Sequence, residues 1–351
     1  MARIVAGFAS SHSPLMSLAP EQWELRARDD LINPELVAPP EGRHLTYAQL
    51  LAQADPAIAA QINVETFRRR VTNLQRGLDK LAQLFGEVAP DAVVLLADDQ
   101  DELFYFNNMP SICVYWGKTI KIVPRQVSNT TSESTRVTAS AYGTVEEDYP
   151  VEGALGLHII EHLMEADFDV AHSTYLNPES GGTIGPATWY LDFARQSPPR
   201  RQGISHSFAF PLKRWFAGRR VPIVPIFLNT CYPPNWISPR RAYALGKAVG
   251  DAVRSWDQQA RVAIATSGGL SHFVVDEELD RLALKGLAQA DAQLLTSLPR
   301  ARLQSAASEI LNWVAVAAAM EPLPMEVLSY EPGYRTPAGT GCGCACGTWL
   351  P

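Results

Sequence analysis

The sequence predicts an α/β fold, with a mixed central sheet, helices on both faces and long active-site loops. Three observations carry this. Short apolar runs of strand length recur at residues 4–8, 92–97, 112–115, 170–175, 223–228 and 262–266. Patterns of helical period lie between several of them. The two kinds of segment alternate along the chain, the mark of a sheet covered on both faces. Strand–helix alternation of this kind builds a largely parallel or mixed sheet. No internal repeat and no linker interrupts it, so residues 1–351 read as one domain.

The helices follow in order. Phe67, Val71, Leu74, Leu78, Leu81 and Phe85 recur at spacings of three and four, an amphipathic stripe. Further helices are expected over 152–165, 239–256, 277–295 and 302–319. Pro239 suits a first helical turn, with Ser238 before it as N-cap. Residues 18–62 break the rhythm with Pro20, Pro34, Pro39 and Pro40. Residues 124–150 and 176–203 are rich in Ser, Thr, Gly and Pro. These three stretches read as loop insertions, the usual form of lids and interaction arms. Residues 330–351 read as a Gly/Cys-rich tail.

The composition excludes several classes. The net charge is −7, and the basic spots Arg68-Arg69-Arg70 and Arg219-Arg220 are short, so no nucleic-acid partner is expected. No apolar run approaches the ~18–20 residues of a membrane span. Residues 2–8 lack a long apolar signal region and read as a buried strand. Five cysteines, an odd number in a long chain, argue against a disulfide framework. The expected location is the cytoplasm.

Polar clusters stand at four strand ends. Ser10-Ser11-His12-Ser13-Pro14 follows the first run, and Asp98-Asp99-Gln100-Asp101 the second. Asn229-Thr230 and Tyr232-Pro233-Pro234 follow residues 223–228, and Ser267 to His272 follow 262–266. Sheets of this type carry their chemistry beyond the strand ends. His12 and His272 are therefore functional candidates, against the alternative that they only stitch loops. Asp98, Tyr232 and Ser271 are candidate substrate contacts.

The SSHSP, LADDQ, SHSFAFPL, LNTCYPP, GGLSH and SEILNW segments occur in an order that resembles the class III extradiol dioxygenases, the type of the protocatechuate 4,5-dioxygenase catalytic subunit. The N-terminal insertion and the YRTPAGTG segment resemble its methylgallate branch. The resemblance implies cleavage of a catechol- or gallate-type ring beside its hydroxyls, with O2 and Fe(II) as co-reactant and cofactor. Two His and one carboxylate would hold the iron and leave positions open. Residue by residue, His12 matches the first ligand and Glu309 the carboxylate. His272 matches the acid/base, and an imidazole titrates near neutrality, as that role needs. His206 matches a second active-site His that bonds substrate or an oxygen intermediate. A homodimer is the expected assembly.

One position departs from the pattern. Gln100 stands where the second ligand His belongs. Either its amide oxygen ligates, a weaker and harder donor than imidazole, or a neighbouring carboxylate (Asp99, Asp101 or Glu102) does, which suits Mn2+ or Mg2+. A third reading has no metal at all. Two further functions follow: a metal-dependent hydrolase on the same fold, with Zn2+, or a non-catalytic subunit. Tyr105, Phe106, Trp116, Phe208, Trp215 and Arg335 could line a pocket for an anionic ring, or lie in the core.

Two other motifs have plain readings. His158, Glu161 and His162 fit an H-x-x-E-H zinc pattern, but they lie on an amphipathic helix where surface histidines are common. Cys342, Cys344 and Cys346 alternate with glycine and alanine. They lack the usual C-x2-C metal spacing, and close backbone packing explains them better.

Overall fold

The computed structural model describes residues 1–100, 102–104, 108–129, 131–176, 184–186, 194–196 and 203–351. Of the expected pocket residues, Tyr105 and Phe106 lie outside these, as do Asp101 and most of residues 176–203.

Nine strands form one mixed sheet among the described residues. They are β1 (Arg3–Ser10), β2 (Ala92–Asp98), β3 (Ile112–Tyr115), β4 (Ala171–Ser173), β5 (Ile223–Leu228), β6 (Arg261–Ser267), β7 (His272–Val274), β8 (Glu326–Tyr334) and β9 (Thr340–Trp349). The order across the sheet is β7-β9-β1-β6-β2-β5-β3-β4, and β8 pairs with the other edge of β9. The central four strands, β1, β6, β2 and β5, run parallel. They are also the four apolar runs that end in polar clusters. Register brings those ends level: Ser10 lies beside Ser267, Ser267 beside Ala97, and Asp98 beside Leu228.

Each face of the sheet carries its own apolar core. On one side the helices Gly153–Glu165, Pro239–Ser255, Glu277–Ala288 and Ile310–Met320 pack over Val94, Leu96, Ile226 and Ile264. On the other, the helix Val64–Val88 and the helix His206–Arg214 pack over Phe8, Val93, Leu95 and Phe227. The predicted stripe at Leu74, Leu78, Leu81 and Phe85 is the buried face of Val64–Val88. Asn63 caps that helix by accepting from the Thr66 N–H, and Ser238 caps the helix at Pro239 through the Arg241 N–H.

The structure corrects four of the expected boundaries. Residues 18–62 are not loop throughout: they hold the helices Trp23–Asp30, Tyr47–Gln53 and Pro56–Ala59. Within 124–150 lie the helix Glu133–Thr138 and the short strand Glu147–Pro150. The helix expected over 302–319 begins only at Ile310, after a 3-10 turn Ser305–Glu309. The Gly/Cys-rich segment is no surface tail, because β9 is buried along its whole length between β8 on one edge and β1 and β7 on the other.

The composition of β9 explains its place. Its period of two puts Cys342, Cys344 and Cys346 in the core under Val64–Val88. Gly341, Gly343 and Gly347 face the opposite way. A Cβ at Gly343 would lie 2.0 Å from Asp280 Oδ2, and one at Gly341 2.3 Å from the Gly333 carbonyl oxygen. No larger residue fits, so the close-packing reading of the cysteine–glycine alternation agrees with the structure.

Candidate active site

The level strand ends form the floor of a cavity of about 510 Å3. Its lining includes His12, Gln100, His206, Tyr232, His272 and Glu309. Five of the eight expected site residues thus lie together at one end, with Tyr232 nearby.

His12 follows β1 by two residues and is 3 % exposed. Its Nδ1 lies 2.9 Å from the Ser267 hydroxyl, the last residue of the neighbouring strand β6. Its carbonyl accepts from the Tyr142 hydroxyl at 3.3 Å. Burial pushes the His12 imidazole down to about 3, against the opposing pull of Glu309, so the ring is neutral at working pH. With Nδ1–H given to Ser267, the Nε2 lone pair points at Glu309 Oε2, 3.6 Å away.

Glu309 ends the 3-10 turn and is fully buried. A buried carboxylate is costly unless hydrogen-bonded. Here Oε2 accepts from the Gly269 N–H at 2.5 Å, and Oε1 faces the Gln100 amide at 2.5 Å and His272 Nε2 at 3.1 Å. Trp313, one turn into the next helix, donates to the Gly268 carbonyl and ties that helix to the GGLSH turn. Burial alone would raise the Glu309 carboxyl, but the histidines beside it and the Gly269 bond bring it down to about 2.

His272 has an acceptor at each nitrogen: the Leu270 carbonyl 2.7 Å from Nδ1, and Glu309 at Nε2. Burial disfavours its charge. The Cys342 sulfur and the Glu309 carboxylate outweigh burial and hold the imidazole well above its usual range. His206 stands across the cavity, its ring edge-on to His12 with centroids 4.7 Å apart. Glu102 grips it through Nδ1 and also accepts from its backbone N–H at 3.2 Å. Burial lowers His206, but the Glu102 charge and hydrogen bond raise it overall.

Two described neighbours of Gln100, Asp99 and Glu102, are otherwise occupied. Asp99 caps the turn that follows, accepting from the N–H groups of Glu102, Leu103 and Phe104 at 3.0–3.2 Å. Glu102 holds His206. Of the positions weighed at this strand end, Gln100 is the described residue that faces Glu309.

A divalent cation fits this geometry. Two donors each roughly 2.1 Å from one ion can stand up to roughly 4 Å apart, and His12 Nε2 and Glu309 Oε2 are 3.6 Å apart. The Gln100 amide presents either nitrogen or oxygen by a half-turn of its terminal torsion. Among the described residues no group of three His, Cys, Asp or Glu side chains has metal-site spacing.

Two expected substrate contacts need correction, and the remaining candidates fall on one side or the other of the alternatives weighed for them. Asp98 and Ser271 do not line the cavity; both are buried behind its wall. Asp98 accepts from Asn312 Nδ2 at 3.0 Å, and its carbonyl accepts from Ser205 and Ser207. Ser271 donates to Asp280, which holds the GGLSH turn from below. Phe208 and Trp215 are core residues, the latter donating to Ser10 Oγ. Trp116 pairs with His172, away from the cavity. Arg335 does line it but is bound bidentately to Asp30 at 2.6 and 2.7 Å. His158 Nε2 is taken by the Ala252 carbonyl and Ser255, so the H-x-x-E-H pattern is a helix-packing feature.

Sequence reasoning missed Tyr142, Arg26, Arg125 and Asp30, all of which lie in the inserted segments and line the cavity. An aromatic residue at 142 in a Ser/Thr-rich stretch was the one available signal.

A mixed α/β sheet thus carries paired histidines and a buried carboxylate beyond its parallel strand ends. The profile described as the catalytic LigB subunit of aromatic ring-opening dioxygenase matches residues 56–328, and the chain belongs to that family. Among its relatives are proteins named 2,3-dihydroxyphenylpropionate/2,3-dihydroxicinnamic acid 1,2-dioxygenase. The one from Cupriavidus necator is 25 % identical over 229 residues, covering 65 % of this chain and 55 % of that protein. The one from Photorhabdus laumondii subsp. laumondii is 27 % identical over 208 residues, 57 % and 49 % of the two chains. The chain spans about half the length of the curated relatives it matches. No helix among the described residues is long and apolar enough to cross a membrane.

Proposed function

We propose that the protein opens the ring of a small catechol-type phenol with O2, using a divalent metal, Fe(II) in the first instance. The observation that carries this is the convergence of His12, Gln100, Glu309, His272 and His206 on one end of one cavity, in a chain of the ring-opening family. His12 Nε2, a Glu309 oxygen and the Gln100 amide oxygen would hold the metal, which supplies a Lewis acid for the two ring hydroxyls and an electron path to O2.

The chain's own residues supply the rest. The Leu270 carbonyl fixes the Nδ1 proton of His272, so Nε2, which faces Glu309 at 3.1 Å, is the atom that exchanges a proton with the substrate. Glu102 fixes His206 in the same way, leaving its Nε2 for a substrate or oxygen atom. Tyr232 also lines the cavity.

The test is anaerobic metal analysis joined to oxygen uptake on 2,3-dihydroxyphenylpropionate, gallate, methylgallate and protocatechuate. Stoichiometric iron with uptake is the expected result. Bound zinc without uptake points to a hydrolase instead, and neither metal nor turnover to a non-catalytic role.

A further inference from the structure

The cavity has a second end, where three arginines and three carboxylates are not all paired with one another. Its lining includes Arg26, Arg125 and Arg335 together with Asp29, Asp30 and Glu35. Arg335 is committed to Asp30, which also accepts from Thr340. Arg26 donates to Asp29 at 3.1 Å, and Ser132 and Ser134 donate to the same carboxylate. Glu35 accepts from Ser305.

Arg125 is the exception. Among the described residues its guanidinium has no hydrogen bond and no ion pair. It lies over the Tyr142 ring, 4.9 Å from the centroid. That ring meets the His206 ring at 5.7 Å, and His206 meets His12 at 4.7 Å. Arg125 is therefore a half-buried cation stationed on the cavity wall, one aromatic ring away from the reacting end. A guanidinium with all its donors free and its face held by an aromatic ring is prepared for a planar oxyanion. Each carboxylate lining this end already has a donor of its own, so none of them competes for it.

We propose that Arg125 binds the carboxylate of an acidic side chain on the substrate ring, with Tyr142 as the platform that positions it, and so sets the preference for an anionic over a neutral catechol. This rests on the catechol reading above. It predicts that the ring sits between Tyr142 and the His12–Glu309 end, with its hydroxyls toward Glu309 and its side chain toward Arg125.

The experiment is calorimetric titration of the metal-loaded protein without oxygen, using 3-(2,3-dihydroxyphenyl)propionate and 3-ethylcatechol, which share the ring and differ in the charge. Wild type is expected to bind the acid more tightly by about 10-fold or more, the usual worth of a charged hydrogen bond. Arg125→Gln should erase that preference by weakening the acid alone, and Arg125→Lys should restore part of it. Retained 3-ethylcatechol binding in Arg125→Gln certifies the fold. Equal weakening of both ligands, or no change in either, overturns the assignment of Arg125 while leaving the catechol reading intact. Wild type binding neither ligand overturns both.

Discussion

The two ends of the cavity are built from different kinds of chain. The His12–Glu309 end stands on four level parallel strand ends and on a helix tied to them by Trp313. The strand-end Ser267 holds His12, the Gly269 N–H holds Glu309 and the Leu270 carbonyl holds His272. The Arg125 end is made from inserted segments, the helix Trp23–Asp30 and the stretch around Glu133–Thr138, joined to the sheet by the Asp30–Arg335 pair. The first end can hold a reacting centre in fixed geometry, as catalysis requires. The second can change with substrate without disturbing the sheet. That division between a fixed chemical end and an adaptable recognition end is open to test from both sides.

The largest effects belong to the fixed end. Glu309→Ala and His12→Ala should each abolish stoichiometric metal, measured by elemental analysis of protein purified without oxygen. Full retention in both would sink the metal site. His272→Ala should keep the metal and lose roughly 10^2- to 10^4-fold in kcat, the range of a lost general acid or base. Metal loss in that variant would instead make His272 a ligand.

At the other end the expected effect is on stability. Asp30 and Arg335 are 1 % and 3 % exposed. Asp30→Asn leaves a buried guanidinium without its counter-charge, which costs about 3–5 kcal/mol. Denaturant unfolding should show that loss while metal content stays at the wild-type level. If the metal falls in step with stability, the two ends are one unit and the division fails.

How much of this was legible follows the same line. The parallel strands announced themselves by short apolar runs, and the clusters holding His12, Gln100 and His272 by their polarity at the strand ends, whereas Glu309, at no strand end, was named only through the family resemblance. Asp98 and Ser271 carried the same signal but face the supports of the wall: position at a strand end does not say which way a side chain turns. Strand β9 was hidden because cysteine and glycine are poor strand markers, and only close packing against β8 and Asp280 explains them. The pairing of Arg125 with Tyr142 was invisible because it joins positions 17 residues apart only after the insertion folds. Proline-rich and Ser/Thr-rich stretches give no periodicity from which such a contact could be read.

The smallest expected effect falls on the residue that separates this chain from the family pattern. Gln100 faces Glu309 from the end of β2, where an imidazole would be the stronger donor. Gln100→His should raise Fe(II) affinity on the order of 10-fold, read by competition with a calibrated chelator. It should do so without altering the preference for an acidic over a neutral ring, because that preference is set across the cavity by Arg125. A gain in affinity with the preference intact would show that the metal and the substrate side chain are held by separable parts. A shifted preference would mean that the ligand set also positions the ring, and the boundary between the two ends would then have to move to the substrate itself. No change in affinity would mean that the amide serves Glu309 as a hydrogen-bond donor and leaves the metal to His12 and Glu309.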